Sequence, residues 1–443
     1  MSKTSTAPAI TYPGIHLQSL AHETVIALSI QIGGFLLAYL LQVFLARGMG
    51  ETEYGVYAYV ISWALLLSCV ADLGFPDMVL RFVSEYKVQE ASGMLRGVIQ
   101  GSWFTVAAIG IGLSLIGTGV IWLMQDYVPF LYKTPLLIGV WLVPLFALHQ
   151  LQLETARSLG DITLAYAPYR IFWPVLVAIS AIFLLESHYE LAGSTMLGIA
   201  AFTMLSVVIL QFWLVQQRLN QTVEVAAPIY AFSNWIKVAA ALWLMNAFLI
   251  IMSQTDIIVV GSLLGPEQAG IYTVGVKTAA WVSFVLGTVN MVTAPSFAQL
   301  YKQDKQEELQ QLVTTSSIWI FWPSLIVAAL IIIFAPNILS FFGMEFLSGS
   351  LLLRILVVAH LINSLFGSVC YLMIMTGHQN QSLVVSAVAA GLNLVLNCLA
   401  VPLLGAVGAA IVSLLTMTLW NVWLSILVFK HLNIKPSVFA VLF

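Results

Sequence analysis

Apolar runs of about twenty residues recur along the whole of this chain, each long enough to cross a hydrocarbon core of ~30 Å. They are too long and too evenly apolar for the strands of a membrane barrel, which alternate in polarity over ~9 to 11 residues. Only 8% of the 443 residues are charged, where a soluble domain carries roughly 25%. So few charges cannot coat a water-facing surface, and the bilayer must be the main solvent. The expected fold is all-α and integral to the membrane, with about twelve transmembrane helices in two six-helix lobes around a central cleft.

The spans fall at 23–46, 55–75, 97–124, 135–156, 166–186 and 192–215, then at 235–263, 270–294, 315–335, 351–375, 381–401 and 405–429. The corresponding organisation is an N-terminal segment 1–22, a first lobe 23–218, a linker 219–234, a second lobe 235–429 and a tail 430–443. The first twenty residues, with Lys3, Ser5, Pro8, Pro13 and His16, lack the basic-then-apolar order of a cleaved signal peptide. Of the sixteen Lys and Arg residues, twelve fall on the side of the N-terminus and four on the other. The positive-inside rule therefore predicts that both termini are cytoplasmic, and this requires an even number of spans, in agreement with twelve.

A shift of 215 residues overlays MGETEYGVY on LGPEQAGIY, placing Gly50, Gly55 and Tyr57 on Gly265, Gly270 and Tyr272. The same shift matches Phe82 with Phe297, Tyr86 with Tyr301, Lys87 with Lys302 and Gly193 with Gly408; a shift of 217 pairs Gly160 with Gly377. One near-constant offset running from the first turn to the sixth span indicates a duplicated unit. Each copy holds six spans, so both copies enter the membrane from the same face, and their interface is where such transporters bind substrate and rock.

The chemistry available to the chain is narrow. No connection much exceeds about twenty residues, which argues against a membrane polymerase, ligase or glycosyltransferase. No P-loop, metal-spaced His cluster or Ser-His-Asp set is visible. The net charge of −3 gives no sign of nucleic-acid binding. Cys69, Cys370 and Cys398 read as small apolar packing groups.

Charges inside spans cost ~2.5–3.5 kcal/mol each on insertion scales, so each needs a partner or a watery cavity. Asp256 and Lys277 flank one hairpin at similar depth and are the sharpest pair, either neutralising each other or serving a substrate or coupling ion. Their counterparts in the first copy are Leu41 and Ser62. Arg81 stands where it can receive a phosphate through a forked guanidinium; Arg47 and Arg354 read mainly as interfacial anchors. Glu154 and Arg157, three apart, are expected to pair. Asp72, Arg157 and Arg170 are candidate gate residues. His149, His360 and His378 read as groups satisfied by neighbouring helices, and Tyr39, Trp63 and Trp281 as candidates for the cleft.

LARGMGETEYGVYAY followed by DLGFPDMVLRFVSEY, then LLGPEQAGIYTVGVKTAA and VPLLGAVGAAIVSLL, together resemble the polysaccharide-biosynthesis, O-antigen-type flippases of the multidrug/oligosaccharidyl-lipid/polysaccharide exporter superfamily. The resemblance covers about residues 20 to 430. It implies a non-enzymatic, two-lobed transporter of the bacterial inner membrane, without cofactor, that moves a polyprenyl-diphosphate-linked oligosaccharide from the cytoplasmic to the outer leaflet. It also implies a cationic substrate set of Arg81, Lys277 and Arg47, coupling to H⁺ or Na⁺ with Asp256 as the acidic candidate, and work alongside a polysaccharide polymerase and glycosyltransferases. Leu41 and Gln42 stand where some lipid II flippases carry a charged pair, which lowers the case for a peptidoglycan precursor. The alternatives are a cation-coupled multidrug exporter of the same superfamily and a non-transporting partner in a saccharide assembly complex.

Overall fold

A computed structural model describes residues 17–127 and 129–436, apart from the side chains of 17–24 and 241. The N-terminal segment with Lys3, and the end of the tail, lie outside the described residues. The elements in order are α1 (Leu17–Asp72), α2 (Phe75–Val88), α3 (Ser92–Leu123), α4 (Phe130–Gly139), α5 (Leu142–Ser158), α6 (Ile162–Ala167), a π-turn at Pro168–Phe172, α7 (Trp173–Glu186) and α8 (Gly193–Thr222). There follow α9 (Phe232–Leu263), α10 (Pro266–Lys302), α11 (Gln306–Ile333), α12 (Ala335–Ser340), a 3-10 turn at Met344–Gly349, α13 (Ser350–Phe366), α14 (Val369–Met375) and α15 (Gln379–Leu432).

Among the described residues, ten helices are long and apolar enough to cross a membrane, two of them far too long for one crossing. At 1.5 Å per residue, the 56 residues of α1 and the 54 of α15 would extend more than about 80 Å. Each is bent at a glycine in a backbone conformation that residues with a Cβ disfavour, Gly50 (φ 74°, ψ 171°) in α1 and Gly405 (φ 65°, ψ −155°) in α15. Splitting both there yields twelve passes in two lobes among the described residues, with Leu17 and Leu432 at one end of the bundle and the Gly50 bend at the far end.

The duplication is visible in the backbone. Gly265 (φ 90°, ψ 179°) repeats the conformation of Gly50, and Gly160 and Gly377 share φ values of 83° and 85°. Identical residues at a constant offset thus hold identical turns in the two copies.

Several span limits differ from the sequence expectation, for physical reasons. The second pass does not stop at 75: after a left-handed turn at Leu73 and Gly74, α2 continues to Val88 as an amphipathic helix with Phe75, Met78, Val79, Phe82, Val83 and Tyr86 buried. The fourth, fifth and tenth passes are broken, at Val140–Trp141, at the π-turn and at Gly367–Ser368. Non-helical backbone at this depth persists where it is enclosed by protein or lines a cavity.

The first lobe is built around α5, which buries thirteen of its seventeen residues. Large apolar side chains face outward, among them Phe104, Phe183 and Trp319, as expected for helices whose solvent is lipid. The chain between α8 and α9 is pinned across α3. The buried Arg96 donates to the carbonyls of Glu224 and Val223, each at 2.9 Å, and to Asn220 Oδ1 at 3.0 Å. Ile229 N donates to Gly93 O at 2.9 Å.

Candidate functional site

The two lobes meet through α1 and α2 on one side and α9 and α10 on the other. At the far end the duplicated turns cross each other. Gly55 lies so close to α10 that a Cβ there would overlap the Pro266 carbonyl and stand 2.8 Å from Gly270 N; a Cβ on Gly270 would overlap Glu51 O and stand 3.2 Å from Gly55 N. Small residues let helix backbones approach in this way. Tyr59 Oη and Ser262 Oγ lie 3.0 Å apart, and Tyr132 Oη donates to Gly261 O at 3.1 Å. Hydroxyls and glycines from both copies therefore seal the far end.

Deeper in, Tyr39 Oη lies 3.2 Å from Thr278 Oγ1, and Phe35, Tyr39, Trp281 and Phe284 form an aromatic cluster between α1 and α10. Tyr39 and Trp281 thus meet at the lobe junction. Trp63 does not join them: it packs near Tyr59 in a separate apolar pocket of the first lobe. On the other flank α9 binds the second pass, with Trp243 Nε1 donating to Cys69 O at 2.6 Å, Asn246 Nδ2 to the Asp77 carboxylate and Trp235 Nε1 to Tyr86 Oη at 3.1 Å.

Asp256 and Lys277 do not neutralise each other, the first of the two roles the sequence left open for them. Asp256 is 7% exposed, and its carboxylate is taken by Tyr272 Oη (2.9 Å), Asn397 Nδ2 (2.7 Å) and the Ser413 hydroxyl. Tyr272 and Lys277 are five residues apart on α10, which turns them about 140° from each other. Facing Tyr272 toward Asp256 therefore points Lys277 elsewhere. Beside Asp256 is a cavity of about 280 Å³ reached by Asn393, Ser413, Thr416 and His360, and the Oδ1 atoms of Asn393 and Asn397 are buried without a hydrogen-bond partner. These groups come from passes seven, eight, ten, eleven and twelve. Sequence reasoning singles out Asp256 and His360 and, as a repeat partner, Tyr272; it missed the others, although Asn393 and Asn397 at i,i+4 and Ser413 and Thr416 at i,i+3 are polar stripes on otherwise apolar helices.

Lys277 keeps an exposed side chain beside the lobe junction, and no ion pair or hydrogen bond among the described residues holds its ammonium. Arg170 belongs to the π-turn, and its Cβ and carbonyl pack onto Gly34 of the first pass. Gly34 and Tyr39, which contact Arg170 and Thr278 respectively, are five residues apart, so Arg170 and Lys277 sit within about 8 Å of the same height along α1.

Arg81 and Arg47 are not brought to this level. Arg47 is three residues from the far-end bend, whereas Arg81 lies thirty-one residues beyond it, about 45 Å of helix away. Both are exposed, and Arg81 lies 5.9 Å from the ring of its neighbour Phe82. Arg157 donates to both carboxylate oxygens of Glu154 at 2.8 and 2.7 Å and lies within electrostatic reach of Asp77. Asp72 accepts from Gly74 N at 2.9 Å and so holds the turn between α1 and α2. His149 bonds Gln211 at 3.0 Å and His360 bonds Ser283 at 2.6 Å, each across helices. His378 instead stacks near His431, with ring centroids 5.1 Å apart.

Comparison with known proteins follows this geometry. The family profile described as polysaccharide biosynthesis protein matches residues 20–301, and the MatE profile matches 241–399. No curated protein sequence matches. Among solved structures, an inward-facing multidrug resistance MATE family transporter of the MOP superfamily aligns at TM-score 0.72 with 13% identity, covering 93% of this chain and 98% of that one. Lipid II flippase MurJ in its inward closed conformation aligns at 0.68 with 13% identity, covering 91% and 87%. An outward-facing MATE family transporter aligns at 0.60 with 14% identity, covering 93% and 95%. With twelve passes, two lobes and a profile match over most of its length, this chain belongs to the polysaccharide biosynthesis protein family and has the fold of the MOP superfamily transporters.

Proposed function

We propose that this protein is a flippase that carries a polyprenyl-diphosphate-linked oligosaccharide from the cytoplasmic to the outer leaflet of a bacterial inner membrane. The observation that carries the reading is Lys277, a cationic side chain beside the lobe junction that no carboxylate among the described residues holds, with Arg170 at similar height against another face of the first pass. Lys277 has no carboxylate partner among the described residues, so an anion entering between the lobes meets an uncompensated ammonium. A diphosphate is the anion that a lipid-linked sugar supplies, and its polyprenyl tail stays in the bilayer while the headgroup exchanges water for these charges. With both termini cytoplasmic, the sealed far end is the outer gate.

Asp256 is the proposed coupling site. A carboxylate surrounded by hydroxyls and carboxamide oxygens, two of them unpartnered, suits H⁺ or Na⁺, and its capture would alter how passes seven, eight, eleven and twelve pack. The polymerase and glycosyltransferases that make and consume the substrate are the expected functional neighbours. The MatE profile match favours one rival, a cation-coupled multidrug exporter, which calls for an acidic cleft to hold cationic drugs.

The test is transport by purified protein in liposomes, using a fluorescent polyprenyl-diphosphate disaccharide and a cationic dye as competing cargoes. The flippase reading expects movement of the lipid, with Lys277→Ala and Arg170→Ala each slowing it at least tenfold. Lipid transport unchanged in both variants, or transport of the dye alone, would refute it.

A further inference from the structure

A second cavity, of about 440 Å³, opens in the half of the bundle nearer the chain ends, and its wall is unlike the cationic junction. Its size is that of ordinary small-ligand sites, roughly 300–1,000 Å³. The second lobe contributes Asn290 from α10, Asn363 from α13, Ser368 from the break between α13 and α14, and Trp420 and Asn421 from α15; the first lobe contributes Asp77. No Lys, Arg or His side chain lines it among the described residues.

Three of these side chains are almost wholly buried, Asn290 at 4%, Ser368 at 5% and Asn421 at 0% exposure. Their Asn290 Oδ1, Ser368 Oγ and Asn421 Oδ1 atoms have no hydrogen-bond partner. The assignment of Asn421 follows from its neighbours, since its Nδ2 donates to Asn363 Oδ1 at 3.0 Å and to Met417 O at 2.9 Å, leaving the oxygen free. The indole of Trp420 is held by its Nε1 bond to Ser386 Oγ at 3.1 Å. The tenth pass breaks at this wall, where Gly367 adopts φ 66° and α13 ends, and a helix end adds unpaired carbonyl oxygens. Buried polar groups are almost always paired, so an unpaired set around a cavity marks what is missing from it.

Two of the three unpartnered atoms are acceptors, the third is a hydroxyl able to accept, and the only charged group at the wall is a carboxylate. We propose that this cavity is the saccharide subsite of the transporter, selective for an uncharged, hydroxyl-rich sugar residue that donates hydrogen bonds to Asn290, Ser368 and Asn421 and packs against Trp420. A uronic or sialic acid would bring a negative charge beside Asp77 to a wall that, among the described residues, holds no cation to meet it. The inference rests on the flippase reading and divides the headgroup, with the diphosphate at the cationic junction and the neutral sugar here.

The experiment measures binding of three probes to the full-length protein in nanodiscs: farnesyl diphosphate, the same lipid carrying N-acetylglucosamine, and the same lipid carrying glucuronic acid. The neutral glycolipid is expected to bind about tenfold more tightly than the bare lipid, the gain of one to two good hydrogen bonds, and the glucuronate no more tightly than the bare lipid. Asn290→Leu, and separately Trp420→Leu, should each erase most of that gain, with size-exclusion profiles reporting folding. Equal binding of the neutral and acidic glycolipids, or a gain that survives Asn290→Leu, overturns the saccharide subsite and leaves the diphosphate reading standing. Failure of all three probes to bind overturns both.

Discussion

Replacing Gly55 with Ala tests the sealed far end directly. The added Cβ overlaps the Pro266 carbonyl oxygen and lies 2.6 Å from its carbon, where ordinary contact begins at 3.4 Å. Both partners are backbone, so no side chain can swing aside, and the crossing must widen by more than the 0.8 Å that the carbonyl carbon alone requires, because the oxygen is closer still. Overpacking of this kind costs about 1–3 kcal/mol. The cost falls only on the state in which α1 and α10 touch, so ~2 kcal/mol shifts the balance toward an open far end about thirtyfold. Gly270→Ala should act in the same direction, and the double variant should fall short of the sum because the two sites share one contact. The assay is labelling of a Thr278→Cys reporter, buried deeper in against Tyr39, in a background without Cys69, Cys370 and Cys398, by a membrane-impermeant maleimide added from the far side. Gly198→Ala is the control, since a Cβ there meets nothing within 4 Å. Labelling of the Gly55→Ala protein no faster than the control would refute the claim that these turns form the closed gate.

Two further outcomes follow from the same geometry. Asp256→Asn keeps the size of the side chain and removes its charge; it is expected to leave the folded protein intact and abolish the dependence of lipid transport on an imposed H⁺ or Na⁺ gradient, measured in liposomes, and a variant that stays gradient-driven would dismiss Asp256 as the coupling site. Arg96→Ala removes three hydrogen bonds that tie the interlobe chain to α3. With net values of about 1 kcal/mol each and more for a charged donor, it should destabilise the protein by roughly 3 kcal/mol, read as a lower Tm, and an unchanged Tm would deny that anchor.

The asymmetry between the copies was partly legible in the sequence and acquires its meaning in the structure. Tyr57 and Tyr272 are repeat partners, and both are buried. Only in the second copy does the tyrosine meet an acid, because the position equivalent to Asp256 is Leu41, itself buried. The first lobe places its buried polar groups elsewhere, with His149 on α5 bonded to Gln211 on α8 and Gln211 bonded in turn to Leu164 O at 3.0 Å. The expected pairing of Glu154 with Arg157 is present because both residues share one helical face three positions apart. The pairing of Asp256 with Lys277 is absent because depth alone does not bring two side chains together; rotation about the helix axis also decides.

That contrast marks the limit of what the sequence determined by itself. Membrane residence, twelve crossings and the duplication are one-dimensional facts, since run length measures the bilayer and a constant offset records the repeat. The same is true of the glycines at the bends, whose conformation follows from the absence of a Cβ. Tertiary structure alone decided that Asp256 answers to Asn397 and Ser413, 141 and 157 residues away. It alone brought Lys277 level with Arg170 rather than with Arg81 or Arg47, and it alone sealed the end where Gly55 crosses Gly270. In each case the outcome depends on which face a helix turns to its neighbours, and in an almost uniformly apolar helix the sequence pattern leaves that rotation open until the helices pack.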